Sequence, residues 1–319
     1  GWFDCERLDL FFEKILNKGI YNEIGGIPLF LGKVKSKFRN LQSLSRAFQV
    51  GEHHYDIGND LFSLMLDKTM MYTCGYWSKD VSTLEESQIA KLDLVAKKLD
   101  LQPGMKILDI GCGWGGAAKH FANNYGVTVI GITVSKEQIE YAKQNSDNMD
   151  VEFKLMDYRN LDEKFDAIYS IGMFEAVGYK NYREFFEIVR SSLKDNGVFL
   201  LHTIGGNESM TTTDPWIEKY IFPNGMMPSA SQIAKASEEF FIFDDWHNIG
   251  PDYDKTLMCW YENFVNNYGK LKAKYNEQFC RMWTYWLLSS AANFRSRSLQ
   301  LWQVLFSLEG SKRPIKNFR

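Results

Sequence analysis

Residues 106 to 116, Lys-Ile-Leu-Asp-Ile-Gly-Cys-Gly-Trp-Gly-Gly, constrain the chain more than any other stretch. A short apolar run enters Gly111, Gly113 and Gly116, and Ala117 to Tyr125 continues as a helix, so the glycines occupy a strand-to-helix turn. In that setting Gly111 and Gly113 permit a tight turn and close backbone approach. Gly116 lets the helix pack on the strand, and the helix N-terminus offers free N–H groups to a ligand. The loop alone fixes where a ligand sits without naming it.

A dinucleotide site places an acid about 20 residues further on, against the ribose. Here the second strand, Val127 to Thr133, ends Gly131-Ile132-Thr133 with no carboxylate. The third, Val151 to Asp157, instead ends on Asp157 at the same edge of the sheet, where it can accept a hydrogen bond from an adenine amino group. That pattern suits a compact adenosyl ligand such as S-adenosylmethionine (SAM) better than NAD. The plainer alternative is that the glycines only close a turn in an α/β domain.

Strands at 106 to 111, 127 to 133, 151 to 157, 165 to 172 and 197 to 204 alternate with helices at 115 to 125, 135 to 145 and 181 to 193. Such alternation requires a mostly parallel sheet with helices on both faces and a ligand crevice beyond the carboxyl ends of the strands. Ser82-Thr83-Leu84-Glu85 reads as a capping box opening a helix through Leu101, with Ile89, Leu92, Val95 and Leu99 inward. The stretch Gly205 to Pro228 has the length of a lid or binding loop. After it come two long aromatic-rich helices and a closing strand, Leu301 to Ser307.

Upstream, Leu10, Phe11, Ile15 and Leu16 give a helix over Asp9 to Lys18, with a break at Gly25-Gly26 and Pro28. Gly1 in place of an initiating Met predicts a fragment. The expected division is residues 1–32 as the end of an N-terminal module, 33–45 as a basic linker and 46–319 as the catalytic domain.

A formal net charge of -3 argues against general nucleic-acid binding, but the charge is unevenly spread. Residues 33 to 46 hold Lys33, Lys35, Lys37, Arg39 and Arg46 without an acid, and Arg281 to Arg319 hold seven basic residues against Glu309 alone. Both segments are laced with apolar side chains, which suits anionic lipid headgroups as well as solvated helix faces. The five cysteines are scattered and odd in number, predicting a reducing, cytoplasmic setting. No apolar run approaches the roughly 18 residues of a membrane span.

Four groups stand out: Glu175 after the fourth strand, His202 at the end of the fifth, Tyr253 between Asp252 and Asp254 where a helix begins, and Cys74 in the motif-dense block that starts at Phe48. Singly, each reads more readily as an ordinary core residue. Their convergence on the edge that carries the glycine turn points to a site. His53, His54 and Asp56 lack metal-ligand spacing and a third partner, so no metal is expected.

The chain resembles the bacterial cyclopropane-fatty-acyl-phospholipid synthases and their mycolic acid relatives from Phe48 onward. The likeness rests on Glu52-His53-His54-Tyr55-Asp56-Ile57-Gly58-Asn59-Asp60-Leu61-Phe62, Tyr72-Thr73-Cys74-Gly75-Tyr76-Trp77 and Leu108 to Gly116. It continues through Met173-Phe174-Glu175, Leu201-His202-Thr203-Ile204-Gly205, Asp214-Pro215-Trp216, Tyr220 to Gly225 and Asp245-Trp246-His247-Asn248.

The resemblance implies a Rossmann-like SAM-dependent methyltransferase fold: a mostly parallel seven-stranded sheet, helical lid insertions and a short helical appendage left from an N-terminal lipid-binding domain. It implies methylene transfer from SAM to a cis double bond of an unsaturated phospholipid, with bound bicarbonate as the base. Carried over by position, Glu175 accepts the bicarbonate proton, His202 and Tyr253 donate to its oxygens, and the N–H groups of Cys74 and Ile204 complete the cradle. For SAM the matching positions are Tyr72, Gly111 and Gly113, with Thr133 and Gln138 on the ribose side and Tyr158 beside Asp157 at the adenine. The enzyme would lie peripherally on the inner face of the cell membrane, with a homodimer left open.

Where the family usually has His after the glutamate, this chain has Ala176. Two rival readings stand beside the first: N-methyltransfer to a small amine, and a lipid-binding homologue impaired by Ala176.

Overall fold

A computed structural model describes residues 4–19 and 58–312. The basic stretch 33 to 46 and the His53-His54 motif lie outside these residues, as does the proposed linker. The described chain opens with α1 (Leu8–Asn17), α2 (Asn59–Met65) and α3 (Leu84–Leu99). An alternating run follows: β1 (Lys106–Ile110), α4 (Gly116–Tyr125), β2 (Thr128–Thr133), α5 (Lys136–Gln144), β3 (Val151–Leu155), β4 (Phe165–Ile171), α6 (Tyr182–Ser191) and β5 (Leu193–Gly206). The chain then forms α7 (Pro215–Tyr220), α8 (Ala230–Ser237), β6 (Ile242–Asn248), α9 (Gly250–Leu271), α10 (Glu277–Arg295) and β7 (Leu299–Ser307).

The strands make one seven-stranded sheet in the order β3-β2-β1-β4-β5-β7-β6. The first five are parallel, while β7 runs antiparallel to both β5 and β6. Because β1 lies between β2 and β4, connections leave it in opposite directions, opening a crevice beyond its carboxyl end. Two apolar layers cover the sheet. One packs Leu92, Val95 and Phe121 of α3 and α4 with Ile139 of α5 against Val129, Tyr169 and Leu200. The other packs Phe185, Phe186 and Ile233 of α6 and α8 against Phe199 and Phe306. A third cluster lies outside the sheet, where α2, α9 and α10 enclose Phe62, Trp260, Trp283 and Trp286.

Several local expectations shift. The capping box is one residue later: the Thr83 hydroxyl accepts from Glu86 N at 3.2 Å, and Glu86 Oε2 accepts from Thr83 N at 3.0 Å. Two overlapping Ser/Thr-x-x-Glu frames exist, and the second wins because Glu86 also takes the Ser82 N–H and hydroxyl. Ile89 is exposed rather than inward, while Gln88, Lys91 and Lys98 are buried. Strand β3 ends at Leu155, and Asp157 instead caps a short 3-10 turn over Tyr158–Asn160. Strand β6 and helices α2, α7 and α8 have no counterpart in the sequence reading.

Helix α1 lies along α10, where Arg295 pairs with Asp9, Glu13 and Asp254 and Arg281 pairs with Asp4. These two arginines of the basic C-terminal segment therefore hold helices together. Among the described residues no helix is long and apolar enough to cross a membrane.

Candidate active site

The glycine turn closes β1 onto β2. Gly111 and Cys112 both donate to Ile132 O, at 2.9 and 3.0 Å, with Gly111 at φ +89° and Gly113 at φ +53°. A side chain at Gly111 would strike Met173, at 2.5 Å from its Cβ, so only a glycine lets the next strand's loop come this close. Around Gly113 the space is open, with Gln138 Nε2 nearest at 3.9 Å. Gly116 plays a different part from the one expected: its Cβ would meet Thr69 O at 2.1 Å, so it admits the 67–71 segment, whereas Gly115 and Gly131 make room for Phe153 of β3.

The predicted ribose-side residues meet. Thr133 ends β2, its hydroxyl donates to Gln138 Oε1 at 3.2 Å, and both side chains are buried beside the glycine turn. Asp157 and Tyr158 stand together beyond β3. The Asp157 carboxylate accepts from Arg159 N at 2.9 Å and Nη1 at 3.2 Å, and the Tyr158 ring lies under the Arg159 guanidinium and edge-on to Phe185.

Glu175 is brought round by a 3-10 turn over Phe174–Ala176, anchored where Phe174 stacks on Tyr182 with centroids 4.4 Å apart. Its Oε1 accepts the Ile204 N–H at 2.6 Å, joining two predicted site residues directly. The Ile204 amide, predicted to face the anion, is thus engaged by Glu175. Among the described residues the other carboxylate oxygen, Oε2, is shut off from solvent and has no hydrogen-bond partner. Burial pushes the Glu175 carboxyl up from its ordinary range, and the Ile204 amide opposes this. Ala176 is exposed.

His202 lies on β5 opposite Ile171 and Gln303, and is buried. Its Nδ1 faces Gln303 Nε2 at 3.3 Å, while Nε2 has no partner among the described residues. With the Gln303 amide donating, the ring proton resides on Nε2. Burial, reinforced by the charges of Lys91 and Lys98, holds His202 neutral.

The remaining predicted residues come from the aromatic cluster. The block Tyr72 to Trp77 docks along α9 through two residues: Thr256 Oγ1 accepts from Gly75 N at 3.1 Å and Trp77 Nε1 at 3.0 Å and donates to Asp252 O, and Asp252 Oδ2 accepts from Trp77 N at 2.9 Å. The buried Cys74 thiol donates to Gly75 O and touches the same hydroxyl. Tyr72 and Tyr253 both pack on Trp260, with centroids 5.3 and 5.9 Å away, and Tyr72 also contacts Phe62, Phe222 and Trp286.

Two links join this aromatic half to the strand ends. Thr73 closes on Gly172, where a Cβ would lie 2.7 Å from the threonine methyl, and Ile249 N donates to Leu301 O beside Ile204 just before α9 begins. The stretch Gly205 to Pro228 returns across the crevice, with Met226 N donating to Glu175 O at 2.7 Å and Phe222 reaching Tyr72. Thr256, Gln303, Gln88 and Lys91 went unmarked in the sequence. Only the last two left a trace, as polar residues three apart on a helix whose inward face is mostly apolar.

The family model for mycolic acid cyclopropane synthetase matches residues 42–304. The chain is 51% identical over 317 residues to the cyclopropane-fatty-acyl-phospholipid synthase of Escherichia coli K12, covering 96% of this chain and 80% of that one. Among solved structures, the cyclopropane synthase MmaA2 from Mycobacterium tuberculosis superposes with a TM-score of 0.77 at 32% identity, covering 82% of this chain and 98% of that one. The mycolic acid cyclopropane synthase CmaA1 complexed with SAH and CTAB superposes with a TM-score of 0.76 at 34% identity and the same coverage. Together with the seven-stranded sheet and its glycine turn, these matches show that the chain belongs to the mycolic acid cyclopropane synthetase family of SAM-dependent methyltransferases.

Proposed function

We propose that this chain is a cyclopropane fatty acid synthase, moving a methylene group from SAM to a cis double bond of an unsaturated phospholipid with bicarbonate as the base. The products are a cyclopropane fatty acyl phospholipid and S-adenosylhomocysteine. The carrying observation is the pair of buried, unpartnered polar atoms, Glu175 Oε2 on the turn after β4 and His202 Nε2 on β5, level with the last residue of β4. Buried polar atoms are rarely left unpaired, and an acceptor and a donor carried by adjoining elements suit a small hydroxylated anion.

For SAM, the open side of Gly113 with Thr133 and Gln138 would hold the ribose, and Asp157 with Tyr158 the adenine. The CmaA1 structure complexed with SAH supports this placement by likeness of fold. When bound, bicarbonate supplies the base that removes a proton from the transferred methyl. Glu175, fixed by the Ile204 amide, would take the bicarbonate hydroxyl proton, and neutral His202 would donate from Nε2. The Tyr253 hydroxyl and the Cys74 N–H would complete the cradle. An alkene is a poor nucleophile, so most of the acceleration must come from holding it in line with the sulfonium. The rings of Tyr72, Trp260 and Trp286 would shelter the resulting carbocation from water and stabilise it by their faces.

Vesicles of cis-unsaturated phospholipid with SAM are expected to yield lipids heavier by one CH2 and lacking the double bond. Methylated amine with untouched lipid would replace this reading by N-methyltransfer, and binding of both ligands without turnover by an impaired homologue. The enzyme would act from the cytoplasmic side, peripherally bound to the membrane. Vesicle binding that weakens as salt rises supports a role for its basic segments.

A further inference from the structure

Helix α3 buries a lysine on the face that packs against the rest of the molecule. Lys91 is fully shut off from solvent, and among the described residues no carboxylate lies within ion-pair distance of its ammonium. Its Nζ instead donates to Thr73 Oγ1 at 2.7 Å and to Gln88 Oε1 at 2.6 Å, while Gln88 Nε2 donates to Thr73 O at 2.8 Å. One turn of helix thereby grips Thr73 by both of its oxygens. On its other side Thr73 closes on Gly172, so the residue has no slack. Its chain neighbours are Tyr72, in the aromatic wall, and Cys74, whose amide the proposed cradle uses.

Removing a charge from water without an opposing acid is costly. Burial draws Lys91 down to about 7, the distant Asp67 only partly opposing it. Its charge acts on both His202 and Cys74, the residues proposed to hold the anion, though burial dominates at each. An anion held between those residues would supply the counter-charge that the protein itself omits.

We infer that Lys91 is a positioning residue for the anion site, pinning the Tyr72–Cys74 segment through Thr73 and setting a positive charge beneath the cradle. This rests on the bicarbonate reading above. The test is the bicarbonate concentration giving half-maximal turnover on cis-unsaturated vesicles, with the SAM dissociation constant measured alongside. Lys91→Met removes charge and grip, Lys91→Gln removes charge but can still donate to Thr73, and Thr73→Val keeps the charge and loses the hydroxyl. Both Lys91 variants are expected to raise the half-maximal concentration by about tenfold or more, with SAM affinity within about twofold. Thr73→Val is expected to lower kcat while moving the half-maximal concentration by less than about threefold.

Should either folded Lys91 variant keep the wild-type bicarbonate response, or lose SAM affinity in step with it, the assignment is overturned. Equal shifts in Thr73→Val and the Lys91 variants would also overturn it, because charge would then play no part of its own. A wild-type enzyme indifferent to bicarbonate would instead bring down the bicarbonate reading, and this inference with it.

Discussion

Around Gly111 and Gly113 the wall of the crevice is backbone, whereas around Tyr72 and Tyr253 it is made of ring faces. The first wall is written locally: the turn, Thr133 and Gln138 lie within the consecutive elements β1, α4, β2 and α5 and meet through neighbouring hydrogen bonds. The second is assembled across the chain, since Gly75 and Trp77 meet Thr256 over sequence separations of 181 and 179. A locally written wall can form early and tolerates little change in backbone shape. A long-range wall depends on the whole sheet being in place, but its individual rings are open to adjustment.

If the two walls have separate tasks, substitutions in one should spare the other's ligand. Glu175→Gln, at the seam between them, should lower turnover by about 10²- to 10⁴-fold while SAM affinity stays near wild type. Single-turnover assays with a separate SAM titration check this, and loss of SAM binding would erase the distinction. Gly111→Val combines a φ of +89° with a clash against Met173, and should weaken SAM binding by at least about tenfold, as measured by calorimetry. Thr256→Val strips two hydrogen bonds from the junction of Tyr72–Trp77 with α9 and one within α9. It should cost about 1–3 kcal/mol in denaturant unfolding and slow turnover more than it weakens SAM binding.

The smallest effect concerns Asp109, buried beneath the glycine turn opposite Tyr169, where burial raises its carboxyl to about 7. A raised carboxyl binds more protons folded than unfolded. Its contribution is therefore full below the ordinary aspartate value and is lost as pH climbs from about 4 to about 7. Asp109→Asn should flatten that fall in melting temperature by pH-dependent calorimetry. An unchanged slope would show that the carboxylate has a partner able to hold it charged.

The same contrast explains what the sequence discloses. The parallel strands, the glycine turn, Thr133 and the strand-end positions of Glu175 and His202 follow from short-range periodicity, because each is set by neighbours within one unit. Strand β6 was missed for a physical reason: it is an edge strand, its register breaks between Phe243 and Asp245, and polar and aromatic residues interrupt the alternation. Hydrophobicity alone does not decide which side of α3 faces inward, since Ile89 is exposed. Gln88, Lys91 and Lys98 enter through bonds to Thr73 and Asp245, partners that α3 itself does not reveal. Gln303 and Thr256 matter through contacts with His202 and the Tyr72–Trp77 block that no local spacing encodes.

Met226 lends its amide to the main-chain oxygen of Glu175, and the Tyr182 hydroxyl donates to the carbonyl of Met226 itself. The 205–228 stretch and the turn that carries Glu175 are thus tied together at one residue. Moving the 205–228 stretch outward at Met226 would break the bond to Glu175 O, so the backbone that carries Glu175 would lose a support whenever the stretch left its place. Amide exchange at Met226 would report how often that bond opens, independently of product formation.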